Sequence, residues 1–208
     1  MQTWDRFWKD HKFTKEPGKY MVELVPVFKK RKVRKILDFG CGAGRHMVYL
    51  TKKGFFVVGQ DITSLGLDAA QKNLNSAGLE NYILINHDVT RLPFQNNSFD
   101  AVISTSALHH NKLSDINRAI NEVHRVLKNK GLFFVSLTSR EEIKKGKRIE
   151  RGTYVTLSGP EKGMVHHLFT EHEIKKSFCD FRVIKLTKPT AKERHWLLLA
   201  EKTLTSSR

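Results

Sequence analysis

Residues 36–44 read Ile36-Leu37-Asp38-Phe39-Gly40-Cys41-Gly42-Ala43-Gly44. An apolar run ends in an acid, and three glycines then fall at alternate positions. A helix-compatible segment follows, Arg45 to Lys53. The order is strand, tight turn, helix start. Glycine suits such a turn because a side chain would block the approach of a ligand to the backbone. Downstream, Phe55-Phe56-Val57-Val58-Gly59-Gln60-Asp61 is a second apolar run closed by an acid. An acid about 20 residues past the glycine turn, at the tip of the second strand, is placed to bind ribose hydroxyls. Asp61 has that spacing from Gly40.

The alternation continues outward. A third strand, residues 82–87, leads into Asp88-Val89, and Phe99 to Ser104 forms a fourth. Helices are expected over 43–53, 64–76 and 113–128, with Gly54 and Gly78 as stops. Asn129-Lys130-Gly131 turns into a fifth strand at 132–138. Thr170, with Glu173 three residues on, opens a last helix through a capping box. Phe181–Leu186 and His195–Glu201 read as a final antiparallel pair. The fold class is therefore α/β. It is a doubly wound, mostly parallel, seven-stranded Rossmann-like sheet with helices on both faces and a C-terminal antiparallel strand.

One domain is expected over 1–208, with room for one sizeable core. Residues 1–30 form a helical cap in which Trp4, Phe7 and Trp8 share one helix side. Residues 140–169 are basic, rich in glycine and without clear periodicity. They read as a long excursion over one end of the sheet, a lid or substrate-binding segment.

In order, LDFGCGAG, VVGQD, NHDV, FDAVIS and RVLKNKGLFFVS resemble the motifs of class I S-adenosylmethionine-dependent methyltransferases. The resemblance is strong over residues 33–139 and looser toward the C-terminal strands; the runs Gly44-Arg45-His46, His166–Thr170 and His195–Ala200 look like those of the small stand-alone, tellurite-resistance-like branch. Nicotinamide-binding folds share the glycine turn, but Asp38, the Asp88 element and the Phe-Asp strand separate the two. The resemblance implies S-adenosyl-L-methionine as cofactor and S-adenosyl-L-homocysteine as product. It implies that Asp38 sits by the methionine moiety or orients the loop. Gly40, Gly42 and Gly44 let the backbone touch the donor, Asp61 binds the ribose, and Ile62 flanks the adenine. Asp88 accepts from the adenine amine with Val89 beside it, and Ser104 completes the cofactor set. Asp88 has a local alternative, capping a turn with Thr90.

The acceptor side carries less information. His109-His110 follows the fourth strand, where relatives face the methyl group, and both are candidate catalytic residues. Tyr154, His166 and His167 are further candidates for the substrate pocket. No metal is expected, because adjacent histidines rarely point at one ion unless loop geometry allows it. The Asn/Asp-Pro-Pro-aromatic element of exocyclic-amine methylation is missing. Neither Cys41 nor Cys179 stands where a pyrimidine-C5 enzyme holds its nucleophile.

The charge is lopsided, with 37 Lys+Arg against 21 Asp+Glu and a net charge of +16. The bases cluster at Lys29–Lys32 with Arg34 and Lys35, at Lys144–Arg151, and at Lys185–Arg194. RNA is therefore a second expected partner class beside a small-molecule acceptor. A non-catalytic cofactor-binding module is the third reading. There is no signal-peptide pattern and no membrane-length apolar run, so a cytoplasmic, non-membrane protein is expected, with a monomer as default.

Overall fold

The computed structural model describes residues 2–10, 16–140, 146–190 and 193–203. Lys144, Lys145 and Lys192 of the basic clusters lie outside these. Two helices, α1 (Gln2–Asp10) and α2 (Lys19–Lys30), precede the sheet. Then come β1 (Lys35–Phe39), α3 (Arg45–Lys52), β2 (Phe56–Asp61), α4 (Ser64–Ser76), β3 (Tyr82–Asn86), β4 (Phe99–Ser104), α5 (Leu113–Val126) and β5 (Leu127–Thr138). Three short strands follow, β6 (Gly146–Glu150), β7 (Thr153–Thr156) and β8 (Val165–His167). The chain closes with α6 (Glu171–Ser177), β9 (Phe181–Thr187) and β10 (His195–Lys202).

The main sheet has seven strands in the order β3-β2-β1-β4-β5-β10-β9. Pairings from β3 through β5 are parallel, and β10 is antiparallel to both β5 and β9. Strand side chains alternate between the two faces, and both faces are buried. Leu37, Phe133 and Val135 pack toward α5 and α6, with Ile120 and Phe178. Ile36, Leu132 and Phe134 pack toward α2, α3 and α4, with Phe28, Leu50 and Leu74. This double burial explains why the central strands read as unbroken apolar runs. Each fully buried Phe or Leu contributes roughly 1.5–3 kcal/mol of transfer free energy.

Two expectations change. The segment read as an excursion without periodicity is a small antiparallel sheet, β6-β7-β8. β6 has no buried residue, so its sequence has no face to alternate. The turn expected at Asn129-Lys130-Gly131 is instead an irregularity inside β5, where pairing with β4 jumps from Leu127 to Leu132. Lys130 takes φ 61° there, a backbone bulge that a sequence reading renders as a turn. The capping box at Thr170 and Glu173 is present. Among the described residues, no helix is long and apolar enough to cross a membrane.

Candidate active site

The site lies beyond the carboxyl ends of β1, β2 and β4, where open parallel sheets leave a crevice. Gly40, Gly42 and Gly44 adopt φ of 75°, 52° and 73°, a region that side chains disfavour. Space is equally restrictive. A Cβ on Gly40 would stand 2.4 Å from the Ala107 Cβ, and one on Gly42 would stand 2.5 Å from the Trp8 ring. The loop is pulled over β2: the Gly40 and Cys41 amides both donate to the Gln60 carbonyl, at 2.8 and 2.9 Å.

Asp61 is the clasp of this loop. Its Oδ2 accepts from the Gly42 amide at 2.8 Å, and its Oδ1 accepts from the Thr63 amide and hydroxyl, each at 3.0 Å. A carboxylate offers about four acceptor sites, so most of its capacity is spent on protein. Burial raises its pKa, and the bonds from Thr63 and Gly42 oppose that rise.

A cavity of about 320 Å³ opens between this loop and the turn after β4. Asp61, Ile62, Asp88 and Val89 line one end. Asp88 also holds Thr90 locally, its Oδ1 accepting from the Thr90 amide at 2.7 Å and hydroxyl at 2.6 Å. Thr105, Ala107, His110 and Glu161 line the other end. Trp4, Phe7 and Trp8 of α1 form the roof, with Trp4 edge-on to the His110 ring at 4.9 Å. The Arg6 guanidinium donates to the Lys162 carbonyl, so α1 touches the β6–β8 segment across the pocket.

Beneath the loop lies a polar layer. Asp38 is buried, both its carboxylate oxygens lack a hydrogen-bond partner, and it does not reach the cavity wall. Burial, aided by the charge of Asp61 and opposed by Arg45, pushes it up to about 7. His46 is buried too. It accepts from the Gly18 amide at 3.3 Å through Nε2 and meets the Thr105 hydroxyl at 3.0 Å through Nδ1. Burial, then the nearby Arg45, lowers it to about 3, so it stays neutral.

The glycine turn, a carboxylate at the second strand tip and a second acid after β3 converge on one cavity. A family model described as "Methyltransferase domain" matches residues 36–131. A Methanosarcina mazei structure described as a SAM-dependent methyltransferase superposes with TM-score 0.73 at 25% identity, covering 86% of this chain and 98% of that one. Residues 36–131 are a methyltransferase domain, and the chain has the fold of the class I S-adenosylmethionine-dependent methyltransferases. The PH0226 protein of Pyrococcus horikoshii OT3 shares the fold of this methyltransferase, with TM-score 0.76 at 24% identity over 95% of this chain and 98% of its own. The Bacillus subtilis protein named uncharacterized methyltransferase YcgJ is 30% identical over 62% of this chain and 49% of its own length. The match spans about half the length of the curated relatives.

S-adenosylmethionine is the family's cofactor, and the site fits it. The backbone of Gly40 and Gly42 lines the cavity where no side chain has room, Asp61 lines it beside them, and Gly44 lies off the wall against Ala70.

The remaining expected residues of the methyltransferase divide. Ser104 is fully buried and lies off the cavity wall; Thr105 and Ser106, one and two positions on, line it instead. His110 lies on the wall, and His109 is buried with its ring 4.4 Å from that of His110. Burial, with the other histidines adding, holds His109 well below the ordinary imidazole range. His166 joins them, its ring 4.4 Å from His110 and its Nε2 3.5 Å from the Glu161 carboxylate. Tyr154 and His167 do not line the pocket. His167 points into protein, its Nδ1 2.8 Å from the Thr153 hydroxyl. Sequence reasoning missed Arg45, His46, Thr105 and Glu161. The only signal was position: Arg45 and His46 directly follow the last loop glycine.

Loop geometry of the kind that lets adjacent histidines meet is present here. Ser106 takes φ 54° and the His110 amide bonds the Ala107 carbonyl at 3.0 Å. That turn swings both rings to the same side.

Proposed function

We propose that the chain transfers a methyl group from S-adenosylmethionine to a small molecule. The observation that carries this reading is one cavity with two chemically different ends, roofed by α1 and bordered by Glu161 of the β6–β8 segment. A pocket of this size suits a small ligand more than a polymer. When bound, the cofactor supplies a methyl group on a sulfonium, and its leaving group is neutral.

The chain's own task is then alignment and exclusion of water. The glycine loop and Asp61 would hold the donor, with Ile62, Asp88 and Val89 at its adenine end. Trp4, Phe7 and Trp8 shield the space between the ends. His110, on the wall, is placed to take a proton from an acceptor that still carries one. His109 lies behind it and off the wall, in a positioning role.

The distribution of charge supports a small acceptor over RNA. Arg34 and Lys35 stand where β1 begins, at the end of the sheet opposite the pocket, and Arg31 is engaged by Glu201. Near the pocket end, Lys188 pairs with Glu171 at 3.2 Å. Among the described residues, bases of these clusters therefore stand at both ends of the sheet.

Transfer of a radiolabelled methyl group into fractionated cell extract tests the reading. Label is expected in the small-molecule fraction. Label in RNA would overturn the acceptor class. No label, with no S-adenosylmethionine binding by calorimetry, would overturn methyl transfer itself.

A further inference from the structure

We propose that His109, His110 and His166 form a binding site for a first-row divalent transition ion at the acceptor end of the pocket. One ring nitrogen from each lies within 4.8 Å of the others. Two separate devices bring them together. The turn after β4 places His109 and His110 side by side, pinned by the Ser106 amide donating to the Ser136 hydroxyl at 2.9 Å. The third imidazole arrives on β8, from a different sheet, and the His167 amide donates to the His109 carbonyl at 2.8 Å. That backbone bond fixes β8 against the turn at the point where the imidazoles meet.

Three gathered imidazoles are an expensive way to fill a core. Every buried ring has two nitrogens to satisfy. His109 keeps its Nδ1 buried without a hydrogen-bond partner, while its ring is also bonded to the Ser136 backbone. An imidazole oriented by a backbone group through one nitrogen and open at the other is the usual state of a metal-ligating histidine. Imidazole favours zinc, copper, nickel and iron over magnesium or calcium. Three protein ligands with one open position is the arrangement of catalytic rather than structural zinc sites. Here the open side has two pocket-lining neighbours, His110 itself and Glu161. Ligands about 2.1 Å from a tetrahedral ion stand about 3.4 Å apart, so the group must contract on binding.

Ion binding stands on this geometry alone. Its use does rest on methyl transfer: an acceptor bearing a hydroxyl or thiol would fill the open position, and with the ion bound it is the ion's charge, not His110 as a base, that would ease loss of the acceptor's proton.

The test uses tag-free full-length chain, stripped with a chelator, without S-adenosylmethionine. It is titrated with Zn²⁺ by calorimetry and with Co²⁺ by visible absorption. One saturating ion per chain is expected. In ¹⁵N-edited imidazole spectra of the wild type, Zn²⁺ should shift three histidines, assigned to 109, 110 and 166. Loss of an outer-shell partner alone weakens metal sites tenfold or more, so His110→Gln and His166→Gln should each weaken binding at least about tenfold. His87→Gln, outside the cluster, should leave it unchanged. Absence of saturable binding to the folded wild type overturns the proposal. So does binding that survives both substitutions, or imidazole shifts confined to other histidines. Should a variant fail to fold, the wild-type imidazole spectrum decides. Ion binding without cofactor binding would sink methyl transfer and leave this site standing; the reverse outcome would sink only the site.

Discussion

At the glycine end of the pocket the walls are backbone, drawn from consecutive residues and clasped by one carboxylate. At the histidine end they are side chains carried by the turn after β4 and by the β6–β8 segment. The first end is stiff: three left-handed glycines and the Asp61 clasp leave the loop few alternatives. The second depends on how two sheets sit against each other. A local sequence thus specifies the glycine end almost completely, while the histidine end can change by moving one segment. Such a division lets one scaffold keep its cofactor and vary its substrate.

The largest effect that would break this contrast lies beneath the glycine end. Burial holds Asp38 at about 7. Between the ordinary carboxylate value and about 7, the folded chain keeps a proton that the unfolded chain has lost. The contribution of Asp38 is therefore full in acid and is lost as pH rises through 7, by of the order of 4 kcal/mol. His46, held at about 3, runs the other way. Its contribution is full above about 6.5 and is lost as pH falls toward 3. Urea unfolding from about pH 4 to pH 8 should show Asp38→Asn gaining on the wild type as pH rises. His46→Gln should lose ground over the same direction. Variants that track the wild type across the range would show that this polar layer is solvated.

Next in size is Asp61→Ala. It removes the ligand-facing carboxylate and the clasp together, and a charge-assisted bond is worth roughly 1.5–3 kcal/mol. S-adenosylmethionine affinity measured by calorimetry should fall at least about a hundredfold. A folded variant with unchanged affinity would mean that the clasp is not part of the donor site.

A smaller effect is expected at the histidine end. Thr153→Val deletes the hydroxyl that bonds the Glu150 carboxylate at 2.9 Å and His167 at 2.8 Å. It should cost about 1–2 kcal/mol of stability. Acceptor turnover should fall while S-adenosylmethionine affinity stays within about twofold. An equal loss at both ends would show that the two are not independent.

Smallest of all should be charge reversal at Lys147 and Arg148 on exposed β6. Cofactor affinity and small-molecule turnover should hold within about twofold. If RNA were the acceptor, the same change would abolish RNA binding. In the wild type, log affinity would then fall with log salt by about 0.7–0.9 per neutralised phosphate.

The same contrast governs what could be read from sequence. Strands with both faces buried and helices with glycine stops carry their own signatures, so α4 emerged with its bounds, Ser64–Ser76, and the mostly parallel, seven-stranded sheet with its C-terminal antiparallel strand was legible. The β6–β8 sheet was not, because β6 is without a buried face and β7 and β8, of four and three residues, are too short to show alternation. Ser104 was assigned by its place at the strand tip, but the chain turns at the next residue and Thr105 faces the cavity instead. The meeting of His109, His110 and His166 depends on one backbone bond between distant segments, and no local pattern encodes it.

The strand order has a consequence for how the molecule is made. β10 lies between β5 and β9, although it is the last of the three in the chain. During synthesis, therefore, β9 emerges with no partner in the main sheet and cannot dock on β5. The open edge of β5 must wait for His195–Lys202 to slide in as a wedge. Until that strand leaves the ribosome, two edges rich in apolar residues remain unpaired, and the interval is the chain's most exposed moment for self-association.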